Sequence, residues 1–129
     1  MASEETHKLL SLENLAIGYR TKNSSVVVSK NISLNLAKGE LISLVGANGI
    51  GKSTLLRTLA GMQAALNGSI LLNGKNLHDY TLHQLAGHLS VVLTEAPASK
   101  NLTVSELISL GRQPYTTWMG KLSEADIAA

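Results

Sequence analysis

A nine-residue glycine-rich segment in the first half of the chain constrains its fold more than any other feature. In order, its residues are Gly46, Ala47, Asn48, Gly49, Ile50, Gly51, Lys52, Ser53 and Thr54. They match the P-loop pattern, in which glycines, a lysine and a hydroxyl residue surround the phosphates of a nucleotide. A mostly apolar stretch at residues 41–45 precedes the segment, and leucines at helical spacing follow it over residues 51–60. This order of strand, loop and helix predicts an α/β fold built on a P-loop NTPase core.

Each residue type in the segment suits one part of phosphate binding. Glycines let the backbone turn tightly, so that successive N–H groups and the following helix dipole face the same anion. Lys52 is expected to reach the β- and γ-phosphates, Ser53 to ligate Mg²⁺, and Thr54 to donate to the α-phosphate. The predicted nucleotide-binding residues of this segment are Gly46, Asn48, Gly49, Gly51, Lys52, Ser53 and Thr54. The alternative is a chance glycine-rich turn, and the flanking strand and helix patterns argue against it.

Hydrophobic patterns elsewhere predict strands in the first part of the chain and mainly short helices later. The predicted strands cover residues 9–17, 26–28, 32–36, 41–45, 68–73 and 90–93. The predicted helices cover residues 51–60, 82–89 and 103–112, with another beginning at 122–126. Several strands alternate apolar and polar residues, which is typical of an antiparallel sheet with one solvated face. Gly18 is expected to end the first strand and Gly61 to end the first helix. Thr103 with Glu106 forms a capping-box pattern, and Ser123 is the expected cap of the last helix.

The amino-acid composition limits which partners and which cellular features this chain is expected to have. The chain has 129 residues, of which 44% are hydrophobic, enough for one small domain with an aliphatic core. Its net charge of +2, from 11 basic and 9 acidic residues, is weak and scattered, so we predict no nucleic-acid partner. The absence of cysteine excludes disulfides. The polar N-terminus does not resemble a signal peptide, and no apolar run approaches the roughly 18 residues that span a bilayer.

From residue 9 onward, nearly the whole chain resembles ATP-binding cassette (ABC) proteins. The residues that carry this resemblance are Asn48 with Gly49 in the P-loop, residues 12–15, Gly18 with Tyr19, residues 32–34, the turn at residues 38–40, residues 68–70, and Asn73 with Gly74. The resemblance implies that Tyr19 stacks on adenine. It also implies an incomplete ABC ATPase domain over residues 9–129. Residues 9–95 would form the nucleotide-binding core with an antiparallel β subdomain, and residues 96–129 the start of a helical subdomain.

A narrower resemblance begins after Ser90. The segments at residues 90–95, 102–104, 110–118 and 122–126 look like those of the iron–siderophore, haem and cobalamin uptake branch. This resemblance implies the ATP-binding subunit of an importer, with ATP and Mg²⁺ as cofactors. It implies transmembrane permease subunits and a second, head-to-tail copy as partners. The expected location is peripheral, on the cytoplasmic face of the cell membrane.

Two departures from the family pattern affect the expected catalysis. Glu95 occupies the position where the family usually has a glutamine near Mg²⁺ and the attacking water. We therefore predict Lys52 and Glu95 as catalytic residues, and Ser53 and Glu95 as metal ligands. The family's signature motif, its Walker B aspartate, its catalytic glutamate and its switch histidine have no match in this sequence. The 129-residue chain alone is therefore predicted to be catalytically incomplete, although the full-length protein would be an ATPase.

Two other functions remain open at this stage. One is a cassette ATPase that acts on DNA or ribosomes, against which the weak charge and residues 110–115 argue. The other is a truncated fragment that only binds nucleotide, which sequencing beyond the codon for Ala129 would test. His78, His83 and His88 are five residues apart and do not share a helical face, so they are predicted to be solvated or capping residues. Trp118 is expected to pack within the helical subdomain, with docking on the membrane subunit as the alternative.

Overall fold

A computed structural model describes residues 8–92, 94, 101–116 and 122–128. The chain divides into two compact units, one ending at Tyr80 and the other beginning at Thr81. The predicted boundary between nucleotide-binding core and helical subdomain lies at residues 95 and 96, which are outside the described residues. That boundary therefore stays a prediction.

The first unit contains the predicted antiparallel sheet. Its strands are β1 (Lys8–Arg20), β2 (Ser25–Ala37), β3 (Asn67–Leu72) and β4 (Lys75–Asn76). They lie in the order β2-β1-β3-β4, and every neighbouring pair is antiparallel. Asn73 and Gly74, both with positive φ, form the two-residue turn between β3 and β4, as is usual for tight hairpins.

Gly18 does not end the first strand, so that expectation was wrong. Strand β1 continues to Arg20, and Gly18 pairs with Val27 of β2. A Cβ atom on Gly18 would lie 2.0 Å from the carbonyl oxygen of Val26. The glycine therefore marks a close approach of two strands, where no side chain fits.

The core of the first unit is aliphatic, as the composition indicates. Its buried apolar side chains are Leu12, Leu15, Ile17, Ile70, Leu72 and Leu77. Three of them lie on β1, which is paired on both sides. Leu15 and Ile17 share a face by ordinary alternation, whereas Leu12 is three residues before Leu15 and is buried as well because the register shifts between them.

Helix α1 (Lys52–Leu59) begins directly after the glycine-rich segment. Gly61 ends the helix as predicted: it has φ +72°, its N–H donates to Thr58, and Met62 N–H donates to Arg57, which together form a Schellman motif. The predicted leucine face of this helix is not its buried face. Thr54 and Thr58 are buried instead, whereas Leu56 is 54% exposed. Burial of threonine is possible here because the Thr58 hydroxyl donates to the Thr54 carbonyl at 2.8 Å.

Two further predicted strands are not formed by the described residues. Residues 41–45 have no strand partner in the described part of the chain, and Leu41 and Val45 are 92% and 90% exposed. Residues 90–92 are likewise outside any strand, and residue 93 lies outside the described residues. A strand is defined by hydrogen bonds to a neighbour, so an apolar run predicts a strand only where a neighbour is present. The parallel part of the predicted core is thus not formed among these residues.

The second unit is helical. It contains α2 (Leu82–Ala86), α3 (Val104–Leu110) and α4 (Glu124–Ala128), with a 3₁₀ turn at Gln113–Tyr115. Helix α2 is shorter than predicted because it ends at Gly87. The capping box at the start of α3 is confirmed, since the Thr103 hydroxyl accepts from Glu106 N–H and the Glu106 carboxylate accepts from Thr103 N–H. Ser123 caps α4 as predicted, with its hydroxyl 3.2 Å from the Asp126 backbone nitrogen.

Candidate functional site

The glycine-rich segment leaves the N-terminus of α1 open. Gly51 is the cap residue, at φ 108°, and it contributes no side-chain hydrogen bond to the first turn. The first turn of α1 also contains no acidic residue. By contrast, Thr81 and Thr103 cap α2 and α3 with their hydroxyls. The first N–H groups of α1 are therefore left without the side-chain acceptor that α2 and α3 have, which suits them to an external anion.

A cleft of about 300 Å³ lies at this helix end. Its lining residues are Tyr19, Val28, Asn48, Gly49, Gly51, Lys52, Ser53 and Thr54. All of these except Val28 belong to the set predicted from the sequence to bind nucleotide. The structure thus brings seven of the eight predicted residues together around one cleft, although the role of each residue stays a prediction.

Lys52 folds back over the loop that precedes it. Its ammonium group donates to the carbonyl oxygens of Gly46 and Ala47, at 2.6 and 2.7 Å. Gly46 does not line the cleft, and its predicted role in nucleotide binding stays a prediction. Both acceptors are neutral, and the positive charge of the ammonium therefore remains available to an anion in the cleft.

Val28 is the cleft residue that sequence reasoning missed. It lies on β2, and its Cγ1 atom would be 2.5 Å from a Cβ placed on Gly51. A Cβ on Gly49 would meet nothing within 4 Å, although Gly49 also has a positive φ of 84°. Both glycines are required by backbone conformation, but only Gly51 is also required by close packing. The run of valines in β2 contains no signal that singles out Val28.

Tyr19 reaches the cleft from the end of β1. Its hydroxyl lies 2.9 Å from the Thr54 Oγ1 atom, where either group has the geometry of a donor. Tyr19 is 47% exposed, which leaves surface for a partner. The side-chain amide of Gln63 donates to the carbonyl of Gly18, the residue before Tyr19. Adenine stacking by Tyr19 stays a prediction, and no pattern in the sequence points to Gln63.

The expected metal site is only partly visible. Ser53 is exposed at the cleft, so its hydroxyl is accessible to a hard cation such as Mg²⁺. Glu95, the second expected ligand, lies outside the described residues, as does Trp118. Among the residues that the structure describes, no group of three or more histidines, cysteines and carboxylates is placed to hold a metal.

His78 N–H donates to the side chain of Asn76 in a 3₁₀ turn, and the solvated or capping role of the three histidines stays a prediction.

Comparison with known proteins identifies the family. Residues 29–128, well over half of the chain, match the family described as ABC transporter. This chain belongs to the ABC transporter family. The α/β fold with an antiparallel sheet and a P-loop is accordingly part of an ABC ATP-binding domain, as the sequence predicted.

Individual relatives agree with this membership. An uncharacterized ABC transporter ATP-binding protein of Methanocaldococcus jannaschii is 41% identical over 92% of this chain and 39% of its own length. The iron(3+)-hydroxamate import ATP-binding protein of Bacillus subtilis is 34% identical over 91% of this chain and 42% of its own length. The chain thus spans well under half the length of these ABC relatives.

A solved ABC structure supports the fold. It is cbiO1 from Clostridium perfringens, part of the ABC transporter complex cbiONQ. Its TM-score is 0.53 at 29% identity, and the alignment covers 64% of this chain and 31% of that chain. Within the described residues, no helix combines the length and apolar character needed to cross a membrane.

Proposed function

We propose that this chain is the N-terminal part of the ATP-binding subunit of an ABC importer. The full-length subunit would couple ATP binding and hydrolysis to uptake of an iron–siderophore substrate or of a related haem or cobalamin type. The name of the Bacillus subtilis relative, an iron(3+)-hydroxamate import protein, supports the iron–siderophore interpretation. Residues 9–95 would belong to the nucleotide-binding core and residues 96–129 to the start of the helical subdomain.

The open N-terminus of α1 is the observation that carries nucleotide binding. Gly51 offers the first turn of this helix no side-chain acceptor, and Lys52, Ser53 and Thr54 all line the cleft there. A triphosphate in the cleft would accept from the N–H groups of the first turn and meet the ammonium of Lys52. Ligand binding would thereby supply acceptors to a first turn that has no side-chain cap.

The residues at the cleft would have different roles in phosphoryl transfer. Lys52 would oppose the phosphate charge, and Thr54 would donate to the α-phosphate. Ser53 would hold Mg²⁺ through its hydroxyl, with Glu95 as a second ligand and catalytic residue. Mg²⁺, when bound with ATP, supplies charge neutralisation at the β- and γ-phosphates. Tyr19 would present its exposed ring to adenine.

The proposed partners are transmembrane permease subunits and a second copy of the subunit, with the protein peripheral on the cytoplasmic side of the membrane. The similar chain cbiO1 is part of the ABC transporter complex cbiONQ, which supports assembly with other subunits. Co-purification of the full-length protein with a membrane permease would support this assembly. Co-purification with nucleic acid or ribosomes would instead favour the non-transport ATPase.

A substitution at Lys52 tests nucleotide binding. Lys52→Ala removes the ammonium and should weaken Mg·ATP binding by about tenfold or more, because the phosphate charge loses its nearest cation. Binding is measured by calorimetry on the 129-residue chain.

Lys38→Ala is the matched control, since Lys38 is an exposed lysine in the turn after β2 and does not line the cleft. It removes the same charge and should leave ATP affinity within about twofold of the unsubstituted chain. Equal ATP affinity in the Lys52 and Lys38 variants would contradict the proposed site.

A further inference from the structure

The hydroxyl of Tyr19 is hydrogen-bonded to the hydroxyl of Thr54, and both residues line the cleft. Thr54 lies in the first turn of α1 and is buried, at 6% exposure. Its Oγ1 atom is 2.9 Å from the Tyr19 hydroxyl. A hydroxyl has a single proton to donate and two lone pairs to accept with. The direction of this hydrogen bond therefore decides whether the Thr54 proton is available to a ligand.

The backbone of Tyr19 is held from both sides by the segment that follows α1. The Gln63 side-chain amide donates to the Gly18 carbonyl, and the Arg20 guanidinium donates to the Leu66 carbonyl at 3.2 Å. Gly18 itself has no room for a Cβ, because the Val26 carbonyl lies against it. Tyr19 is thus fixed by its two chain neighbours at one end and by Thr54 at the other.

We propose that Tyr19 is a positioning residue whose hydroxyl donates to Thr54, so that the Thr54 proton is directed to a phosphate oxygen in the cleft. This inference rests on the proposed function, namely that the cleft binds nucleotide phosphates. If Thr54 donated to Tyr19, it would have no proton left for the phosphate. With Tyr19 as the donor, the two hydroxyls form a chain in which each hydrogen bond polarises the next.

The hydroxyl and the ring of Tyr19 then contribute to different parts of the ligand. The hydroxyl acts on the phosphates through Thr54, so its contribution to affinity does not depend on whether the ligand carries a base. The ring has no phosphate contact in this arrangement and can affect only a ligand that carries a base. ATP and inorganic tripolyphosphate separate the two contributions, because tripolyphosphate has the phosphate chain alone.

The test uses Tyr19→Phe, which removes the hydroxyl and keeps the ring. Calorimetry on the full chain with Mg·ATP and with Mg·tripolyphosphate should show a loss of affinity of about three- to tenfold for both ligands, the range expected for one hydrogen bond. Tyr19→Leu, which also removes the ring, should lose further affinity for ATP and no more for tripolyphosphate. Thermal melts of each variant establish that it is folded.

Two Thr54 variants test whether the effect passes through that hydroxyl. In a Thr54→Val background, Tyr19→Phe should cost no further affinity, because the acceptor of the Tyr19 proton is gone. In a Thr54→Ser background, which keeps the hydroxyl, the loss should persist.

Three results would overturn the inference while leaving the proposed function intact. They are unchanged affinity in Tyr19→Phe, a loss confined to ATP, and a loss of the same size in the Thr54→Val background. Failure of the unsubstituted chain to bind either ligand would instead overturn the proposed function, and this inference with it.

Discussion

Gly51 must be a glycine for two separate reasons, its backbone conformation and the lack of space for a Cβ atom. Its φ of 108° is a conformation that residues with a side chain rarely adopt, and the position its Cβ would take is 2.5 Å from Val28. Only the first reason applies to Gly49, which has φ 84° and open space around it. The P-loop pattern treats these glycines alike, but their surroundings distinguish them. The distinction depends on the packing of β2 against the loop, which the local sequence pattern does not predict.

We predict that Gly51→Ala destabilises the chain more than Gly49→Ala. Gly49→Ala should cost about 1–2 kcal/mol, the penalty for a left-handed residue that has a Cβ. Gly51→Ala should cost that amount and about 1–3 kcal/mol more for overpacking against Val28. Urea titration followed by circular dichroism measures both values.

The Val28→Ala background is the control for the packing component. There the extra cost of Gly51→Ala should shrink, because the clashing methyl is absent, while the cost of Gly49→Ala should be unchanged. An identical Gly51→Ala cost in both backgrounds would show that Val28 does not constrain the loop.

At the level of elements, the sequence predicted best what depends on near neighbours. The caps at Thr103 and Ser123 and the helix ending at Gly61 rest on residues within a few positions, and all three are present. The antiparallel pairing was also predictable, since alternation marks a strand with one wet face. Residues 41–45 and 90–92 were not predictable, because a strand there needs a neighbour from elsewhere in the chain. The buried face of α1 and the cleft residue Val28 likewise depend on distant packing.

At the start of α4, the Asp126 carboxylate is held by several hydrogen bonds and an ion pair. The Asp126 carboxylate accepts from the Ser123 hydroxyl at 2.6 Å and from the Ser123 backbone N–H at 2.9 Å. The Arg112 guanidinium also donates to it, at 2.7 and 3.0 Å. These contacts, with those from Ser123 the larger cause, lower the pKa of Asp126 from 3.8 to about 2.

This arrangement predicts the pH at which the α4 cap is lost. Because folding lowers the pKa of Asp126, its stabilising contribution is complete above pH 3.8 and disappears as the pH falls through about 2. Carboxyl NMR should therefore find a titration midpoint near 2 for Asp126. Ser123→Ala should raise that midpoint more than Arg112→Gln does, because Ser123 is the larger cause. An unshifted midpoint in Ser123→Ala would contradict the assignment.

On the scale of the whole molecule, the P-loop cleft is assembled while other parts of an ATPase have no counterpart in the sequence. The chain contains no apolar strand pattern ending in a Walker B carboxylate and no signature segment. Residues 41–45, next to the P-loop, are unpaired and exposed among the described residues. The residues expected to bind nucleotide are therefore present in this chain, whereas several of the groups that hydrolysis needs are not found in its sequence.

We predict that the 129-residue chain binds ATP but does not turn it over at an ordinary enzymatic rate. Positioning of the water and stabilisation of the developing charge each lower a barrier by several kcal/mol. Lys52 and Ser53 would supply part of these effects, but the Walker B carboxylate, the catalytic glutamate and the signature segment have no match in the sequence. Phosphate release should stay well below about 1 s⁻¹, the low end of common turnover numbers. Lys52→Ala gives the background rate. Turnover above that limit that vanishes in Lys52→Ala would reveal a complete active site in this chain.

The position of β1 in the middle of the sheet also determines which parts of the first unit open most easily. Leu15, at 0% exposure, lies on this strand between β2 and β3, whereas Tyr19 at its end reaches the cleft. Backbone amides in the middle of β1 should be the last to exchange with deuterium, because they open only when the unit unfolds globally. The P-loop amides should exchange early without ligand and slow down when phosphate is bound. A substitution at Leu15 would then reduce nucleotide occupancy from a distance, by enlarging the unfolded fraction and leaving the affinity of the folded molecules unchanged.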